Sequence, residues 1–170
     1  MNTIISRRKM LRLSTAPALA AVLGLAGCAR HNTVLLPPKI HYGYDTCAWC
    51  GMIISNPHFA AAVAYNRNGT PHDACFDDIG CMLSWQKAHG QTSLLKVWVK
   101  NYATQKWMAA QRACFIHSAA IITPMASGIA AGATLEQAKS ALPQLTNTGY
   151  KIMTYATIRR FEINRNKNGG

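Results

Sequence analysis

Acidic side chains are scarce in this 170-residue chain: 6 Asp and Glu stand against 18 Lys and Arg, a formal net charge of +12. Such a balance first suggests a nucleic-acid partner, but no nucleic-acid-binding motif accompanies it. A second C-x-x-C is also missing. Cys47-Ala48-Trp49-Cys50 stands alone at that spacing, short of the four-ligand set of structural zinc. The apolar run near the N-terminus, Ala16 to Ala26, is too short to cross a bilayer as a mature helix, which takes about 20 residues.

What is present at the N-terminus is an export signal. Arg7, Arg8, Lys9 and Arg12 form a basic start, the apolar run follows, and Leu25-Ala26-Gly27 puts small residues before Cys28. The Leu-Ala-Gly-Cys step resembles a bacterial lipobox. It implies that residues 1–27 are removed and that Cys28 becomes a lipidated first residue; the competing reading is a plain signal with an incidental cysteine. Ser6-Arg7-Arg8-Lys9-Met10-Leu11 also resembles a twin-arginine signal. The expected location is the periplasmic side of a membrane, and Ala29 after the lipid site points to outer-membrane sorting. Removing residues 1–27 leaves 143 residues, enough for one domain. It takes away four basic residues and no acidic ones, so the net charge falls from +12 to +8. A basic body of this kind suits an anionic lipid surface or an acidic partner.

Cysteine arithmetic turns the reading toward soft ligands. With Cys28 lipidated, Cys47, Cys50, Cys75, Cys81 and Cys114 remain, and five cannot all pair within one chain. At least one thiol is then free, buried or holding a metal.

Pro37-Pro38 and Gly43 mark residues 28–44 as a tether, and 161–170 reads as a polar flexible tail. In the body at 45–160, Phe59 to Tyr65 is strand-like, Asn66-Arg67-Asn68-Gly69 has turn chemistry, and a short strand is expected over Ala74 to Phe76. A helix is predicted from Asp77 or Asp78 to about His89, with Ile79, Met82, Leu83 and Gln86 at helical spacing. The second half starts with a strand at Leu94, where Leu95, Val97 and Val99 alternate with Lys96, Trp98 and Lys100. Trp107 to His117 reads as a returning strand broken near Ala110. Thr134 to Leu142 is a predicted helix with a Thr N-cap and Gln137 at N3, stopped by Pro143. Tyr150 to Ile158, rich in Ile, Thr and Tyr, reads as a last strand. The sum is an α+β domain of two β-β-α units with antiparallel strands.

Three clusters carry chemistry. Cys47-Ala48-Trp49-Cys50-Gly51-Met52 places three sulfurs within six positions, and thiolate and thioether select Cu(I) over hard cations. If the segment is extended, Cys50 and Met52 face one side and offer a charged and a neutral sulfur to one point. Simpler roles compete: Met52 as core filler, and Cys47–Cys50 as a disulfide or a redox pair. A thioredoxin-like pair needs a helix starting at the first cysteine, and Ile53-Ile54-Ser55-Asn56-Pro57 does not supply one.

The second cluster spans His72 to Met82. Asp77 and Asp78 cap the expected helix. The pair also has the chemistry to hold a second, harder divalent ion such as zinc. Cys75 and Cys81 are expected in the core. The third cluster is Cys114-Phe115-Ile116-His117 followed by Thr123-Pro124-Met125, with Met125 in a Gly- and Ala-rich loop that has little core to fill.

Taken in order after a lipobox, Cys50-Gly51-Met52-Ile53, Phe76-Asp77-Asp78-Ile79-Gly80-Cys81-Met82, Trp107 and Thr123-Pro124-Met125 resemble the NosL family of copper-chaperone lipoproteins. The resemblance covers about residues 45 to 158. It implies a non-enzymatic Cu(I) carrier that supplies nitrous-oxide reductase, a protein of denitrification, during assembly of its copper centres. The partner it implies alongside the reductase is an ABC-type maturation complex. It further implies a fold like that of organomercurial lyase. Carried over by position, Cys50 and Met52 are copper ligands, Met125 a further one, and His117 the histidine. Asp77 and Asp78 match a Phe-Asp-Asp element. Cys47 is a departure that either replaces a ligand or forms a disulfide with Cys50. Acid is expected to weaken binding as Cys50 takes up a proton. Two other classes remain: a thiol–disulfide oxidoreductase using Cys47 and Cys50, and a lyase-like enzyme with Cys75 as thiolate and Asp78 as proton donor.

Overall fold

Asn68 and Gly69 both adopt positive φ, 53° and 81°, which is the backbone a two-residue hairpin turn demands. They join β1 (Ala61–Arg67) to β2 (Thr70–Phe76) in antiparallel register from Ala61 opposite Phe76 to Arg67 opposite Thr70. The molecule is a computed structural model that describes residues 35–90, 92–142 and 148–165. The export segment, Cys28 and Pro143 lie outside the described residues. The first half of β2 is exposed and polar, so only its end at Ala74 to Phe76 carried a hydrophobic signal. Its pairing with β1 decides the rest.

Asp78 caps α1 (Ile79–Ala88), accepting the Gly80 N–H at 2.6 Å. The helix buries Ile79, Met82, Leu83 and Gln86 as its spacing predicts, and Trp85 and Cys81 as well. β3 (Ser93–Lys100) pairs with β1, and β4 (Trp107–Ala109) pairs with β3. The first sheet therefore runs β2-β1-β3-β4. The alternation expected in β3 breaks at a bulge: Ala64 opposes Lys96 while Tyr65 opposes Leu94. The extra residue, Leu95, is exposed, and Leu94 packs inward instead. One added residue flips side-chain parity beyond it. Trp98 is also buried, on the opposite face with Ala62 and Ala64.

The returning strand breaks at a 3₁₀ turn, Ala110–Arg112, as expected. Its second part, β5 (Cys114–His117), leaves the first sheet. It pairs with β6 (Ile129–Gly132) and β7 (Lys151–Met153) in a second sheet of order β6-β5-β7. The α+β class with antiparallel sheets is thus observed. The second β-β-α unit, however, shares its strands between two sheets. β6 lies in the Gly- and Ala-rich stretch after Met125, where Ile-Ala-Ala-Gly shows no alternation because all four residues are buried.

Thr134 caps α2 (Leu135–Lys139), its Oγ1 accepting the Gln137 N–H. The Gln137 side chain instead accepts from Asn101 at 2.6 Å and from the Ala133 N–H. The segment Tyr150 to Ile158 is not a strand throughout. After β7, Thr154 accepts the Thr157 N–H and α3 (Tyr155–Arg165) begins, extending into the expected tail. Ile158 is fully buried there, so tertiary packing overrides β propensity. At the other end, packing starts at Leu35, against Ala62, Ala64 and Trp98, and continues at Ile40 and Tyr42, all within the expected tether. One apolar core joins Val63, Phe76, Met82, Val97, Phe115, Ile129 and Ile158. Among the described residues no helix is long and apolar enough to cross a membrane.

Candidate metal centre

The Cys47–Met52 segment is a hairpin, not an extended run. Ile54 N–H donates to the Asp45 carbonyl at 2.8 Å, Thr46 bridges Ile53, and Cys47 N–H donates to the Met52 carbonyl at 2.7 Å. Gly51 N–H then donates to the Cys47 carbonyl at 2.9 Å, with Gly51 at φ +74°. Gly51 and Met52 together oppose Cys47, which is a β-bulge led by a left-handed glycine. That φ, rather than small size, is what requires glycine. Nothing stands within 4 Å of a Cβ built there. The expected i, i+2 alignment of Cys50 and Met52 is therefore replaced by a turn. Its effect is to bring Cys50 back toward Cys47. The hairpin is fastened to the first sheet by Ala48 N–H donating to the Cys75 carbonyl at 2.9 Å.

The turn meets the first turn of α1. The sulfurs of Cys47, Cys50 and Cys81 all lie within 4.8 Å of one another. A trigonal ion with metal–sulfur bonds of about 2.3 Å needs sulfurs about 4 Å apart, so the three fit one soft ion with a small contraction. Among the described residues no histidine or carboxylate joins the group at that spacing. Cys81 is in the core, as its position predicts, and its sulfur also joins the group. The signal that places it here is its position on α1, three residues after the N-cap, where the helix start faces the hairpin.

The environment splits the thiols. Cys47 is 2% exposed, yet its thiol is pushed down from about 9 to about 5. The largest cause is the Cys81 thiol donating to its sulfur; burial pushes the other way, and backbone N–H groups of Cys50, Asp77 and Trp49 donate as well. The same bond, with burial, holds the Cys81 thiol far above its usual range. Cys50 is also raised, mainly by burial. Of the three, the Cys47 thiol is the one pushed down, where the sequence pointed to Cys50. All five described cysteines are free, with no Cys47–Cys50 disulfide.

Asp77 and Asp78 tie the pieces together. Asp77 Oδ1 accepts the Ser55 N–H at 2.8 Å and the Asn56 N–H at 3.4 Å, holding the chain that leaves the hairpin. Asp78 Oδ1 caps α1, and its Oδ2 accepts the Met125 N–H at 3.1 Å. The paired carboxylates thus set hairpin and Met125 loop against the helix that bears Cys81. Both are buried, and backbone donors hold Oδ1 of Asp77 and both oxygens of Asp78. The Met125 loop is held by Thr123, whose Oγ1 accepts from Ser127 and Gly128. Met125 is 39% exposed and lines a cleft of about 120 Å³ with Cys81, Trp49, Gly80 and Ser127. Gly80 is flush against that loop: a Cβ there would meet the Ser127 Cβ at 2.5 Å. Met52 is 57% exposed at the bulge. His117 is outside the three-sulfur group, at the end of β5, where it lines a separate cleft with Thr123, Ala126 and Ser127 of the Met125 loop and its ring is 4.9 Å from that of Phe161.

The rival chemistries lack their parts. Cys47 and Cys50 sit in a hairpin turn, not at a helix start. Cys75 is pushed up to about 11 by burial and nearby negative charge, which makes it a poor thiolate. Asp78 is committed to two backbone N–H groups.

The NosL family model matches residues 40–161. A crystal structure of the copper chaperone NosL from Shewanella denitrificans has the same fold, with TM-score 0.51 and 18% identity over 71% of this chain and 96% of that one. Among curated proteins none matches.

Proposed function

The chain belongs to the NosL family, and we propose on that footing that it is a Cu(I) carrier rather than an enzyme, with Cys47, Cys50 and Cys81 as its anionic donors. The convergence of three sulfurs within 4.8 Å carries this reading. Three soft donors, Cys47 and Cys81 buried and Cys50 half-buried, suit an ion that must be both held and surrendered. The thioethers of Met52 and Met125, both reached by solvent, are neutral sulfurs on which the ion can be exchanged. Asp77 and Asp78 act by positioning, since backbone donors already hold Oδ1 of Asp77 and both oxygens of Asp78, leaving a second divalent ion such as zinc no pair of free carboxylates. The matched solved structure is that of a copper chaperone, which supports the same reading.

The wider role rests on the family and on the N-terminal residues. An export signal ending at Gly27 and a lipid on Cys28 would hold the carrier on the periplasmic side of a membrane. The cargo's destination is nitrous-oxide reductase, reached through its ABC-type maturation complex. The kinship of the fold with organomercurial lyase belongs to the same proposal.

Cu K-edge absorption on the reduced protein loaded with one Cu(I) tests the centre. Two or three sulfur donors per copper are expected, and a first shell dominated by nitrogen or oxygen overturns the assignment.

A further inference from the structure

The first sheet has two faces, and the thiol centre belongs to one of them. α1, which carries Cys81, packs on the inner face with Val63, Val97 and Val99. The outer face bears Ala62, Ala64 and Trp98, with Leu35 and Trp107 packed against them. The tether thus lands on the outer face, where the Leu35 carbonyl accepts from Lys96 Nζ at 3.3 Å. Next to that landing point, Leu36 is 74% exposed and Leu95 41%. Two lysines rise from the same face. Lys96 Nζ lies 5.6 Å from the centre of the Trp98 ring, and Lys100 Nζ lies 4.4 Å from that of Trp107. Each ammonium has three protons and gives one to a carbonyl, of Leu35 or of Gln105, which leaves two for an outside acceptor. Lys106, next to Trp107, is exposed as well. One acid, Asp73, shares this face, across β1 from Lys96. Among the described residues neither Lys96 nor Lys100 has a carboxylate at ion-pair distance.

Chain length decides what meets this face. With Cys28 as the lipidated first residue, seven peptide steps separate the anchor from Leu35. Fully extended they reach about 25 Å. A compact body of this length is about 35 Å across. The tether is shorter than the body is wide, so a body hung on it keeps the landing face toward the bilayer. That face has the chemistry of a lipid interface: aliphatic and indole groups beside ammonium groups, with Arg30 two residues from the anchor. We propose that the outer face of the first sheet, around Leu36, Leu95, Lys96, Lys100 and Trp107, docks on an anionic phospholipid surface. This rests on the reading that Cys28 carries lipid. A few lysines do not hold a free body on a membrane, but a tethered body needs only to be oriented. Docked this way, the sheet turns α1 and the thiol centre away from the bilayer.

The test uses the mature lipidated protein, purified in detergent and reconstituted into vesicles of phosphatidylcholine or of an equimolar mixture with phosphatidylglycerol. A brief pulse of an amine-acylating reagent, read by mass spectrometry, reports the accessibility of each lysine. On the mixed vesicles Lys96, Lys100 and Lys106 should label at least about threefold more slowly than on phosphatidylcholine. Lys87 on α1 and Lys139 on α2 should label equally on both. High salt should erase the difference in the wild type, because it screens ammonium groups from phosphate. The double variant Lys96→Gln, Lys100→Gln should lose the protection of Lys106 while still floating with the vesicles, and a thermal melt checks that it folds. Equal labelling of the wild type on the two kinds of vesicle overturns the inference. Slow labelling on phosphatidylcholine that grows with protein density places a second copy on this face and overturns it too. If the protein carries no acyl group on Cys28 and does not float with either vesicle, the anchor reading has failed and the docking falls with it.

Discussion

Two groups of cysteines in this molecule have the same side chain and opposite fates. Cys47, Cys50 and Cys81 converge, and the Cys47 thiol is pushed down by its neighbours. Cys75 and Cys114 stay apart, and burial pushes both thiols up. Burial alone does not separate the groups, since Cys47 is the most buried of the five and the only one lowered. What separates them is a donor: a second thiol and several backbone N–H groups aim at the Cys47 sulfur. A thiol becomes a ready ligand here through its neighbours, and the neighbours come from a tight turn docked on a helix start.

The largest expected effect that sharpens this contrast is on pH. Protons compete with Cu(I) for sulfur, so acid weakens binding. The Cys47 thiol is pushed down and gives up its proton readily, while Cys50 and Cys81 are held up and keep protons that the ion must displace. Cu(I) affinity should rise between pH 6 and pH 8 by up to about two decades per pH unit, one for each proton released. Competition titrations at three pH values read the slope. A flat profile would break the distinction between the one lowered thiol and the two raised ones. Next, Cys81→Ser should lower Cu(I) affinity at pH 7.5 by about a hundredfold or more, and Cys75→Ser and Cys114→Ser by less than about threefold. Equal losses across the three variants would erase the boundary between the groups.

Smaller effects probe what brings the sulfurs together. Asp78→Ala leaves the N–H groups of Gly80 and Met125 without a partner, and the side chain is fully buried. Loss of a cap and of a charged acceptor should cost about 2–4 kcal/mol, read by urea denaturation. Gly51→Ala meets no clash, only a φ of +74° that an alanine tolerates poorly. A cost of about 1–2 kcal/mol is expected. A loss near zero would show that the bulge is not what shapes the turn.

Much of the scaffold was legible from residues alone. The Asn68-Gly69 turn, the helix after Asp78 and the Thr134 cap follow from local chemistry, and local chemistry acts over a few positions. The misses share a cause. A bulge swapped Leu94 for Leu95 at the start of β3 while Val97 and Val99 kept the expected inward parity, β6 showed no alternation because both its faces are covered, and α3 formed from residues with strand propensity because Ile158 is drawn into the core. At the site, Cys47, Cys50 and Met125 were visible as soft donors. Cys81 was not, since its partners lie more than thirty residues away in the chain.

The chain's order of residues by itself determined the kinds of donor available, the turn that carries two of them and the capped helix that carries the third. Those depend on side-chain chemistry and on φ preferences that neighbours in sequence impose. Only the tertiary structure decided which thiols meet, which one gives up its proton and which tryptophan stands beside them. Those outcomes depend on distances of a few ångströms between segments joined by no local rule, held in place by Asp77 and Asp78.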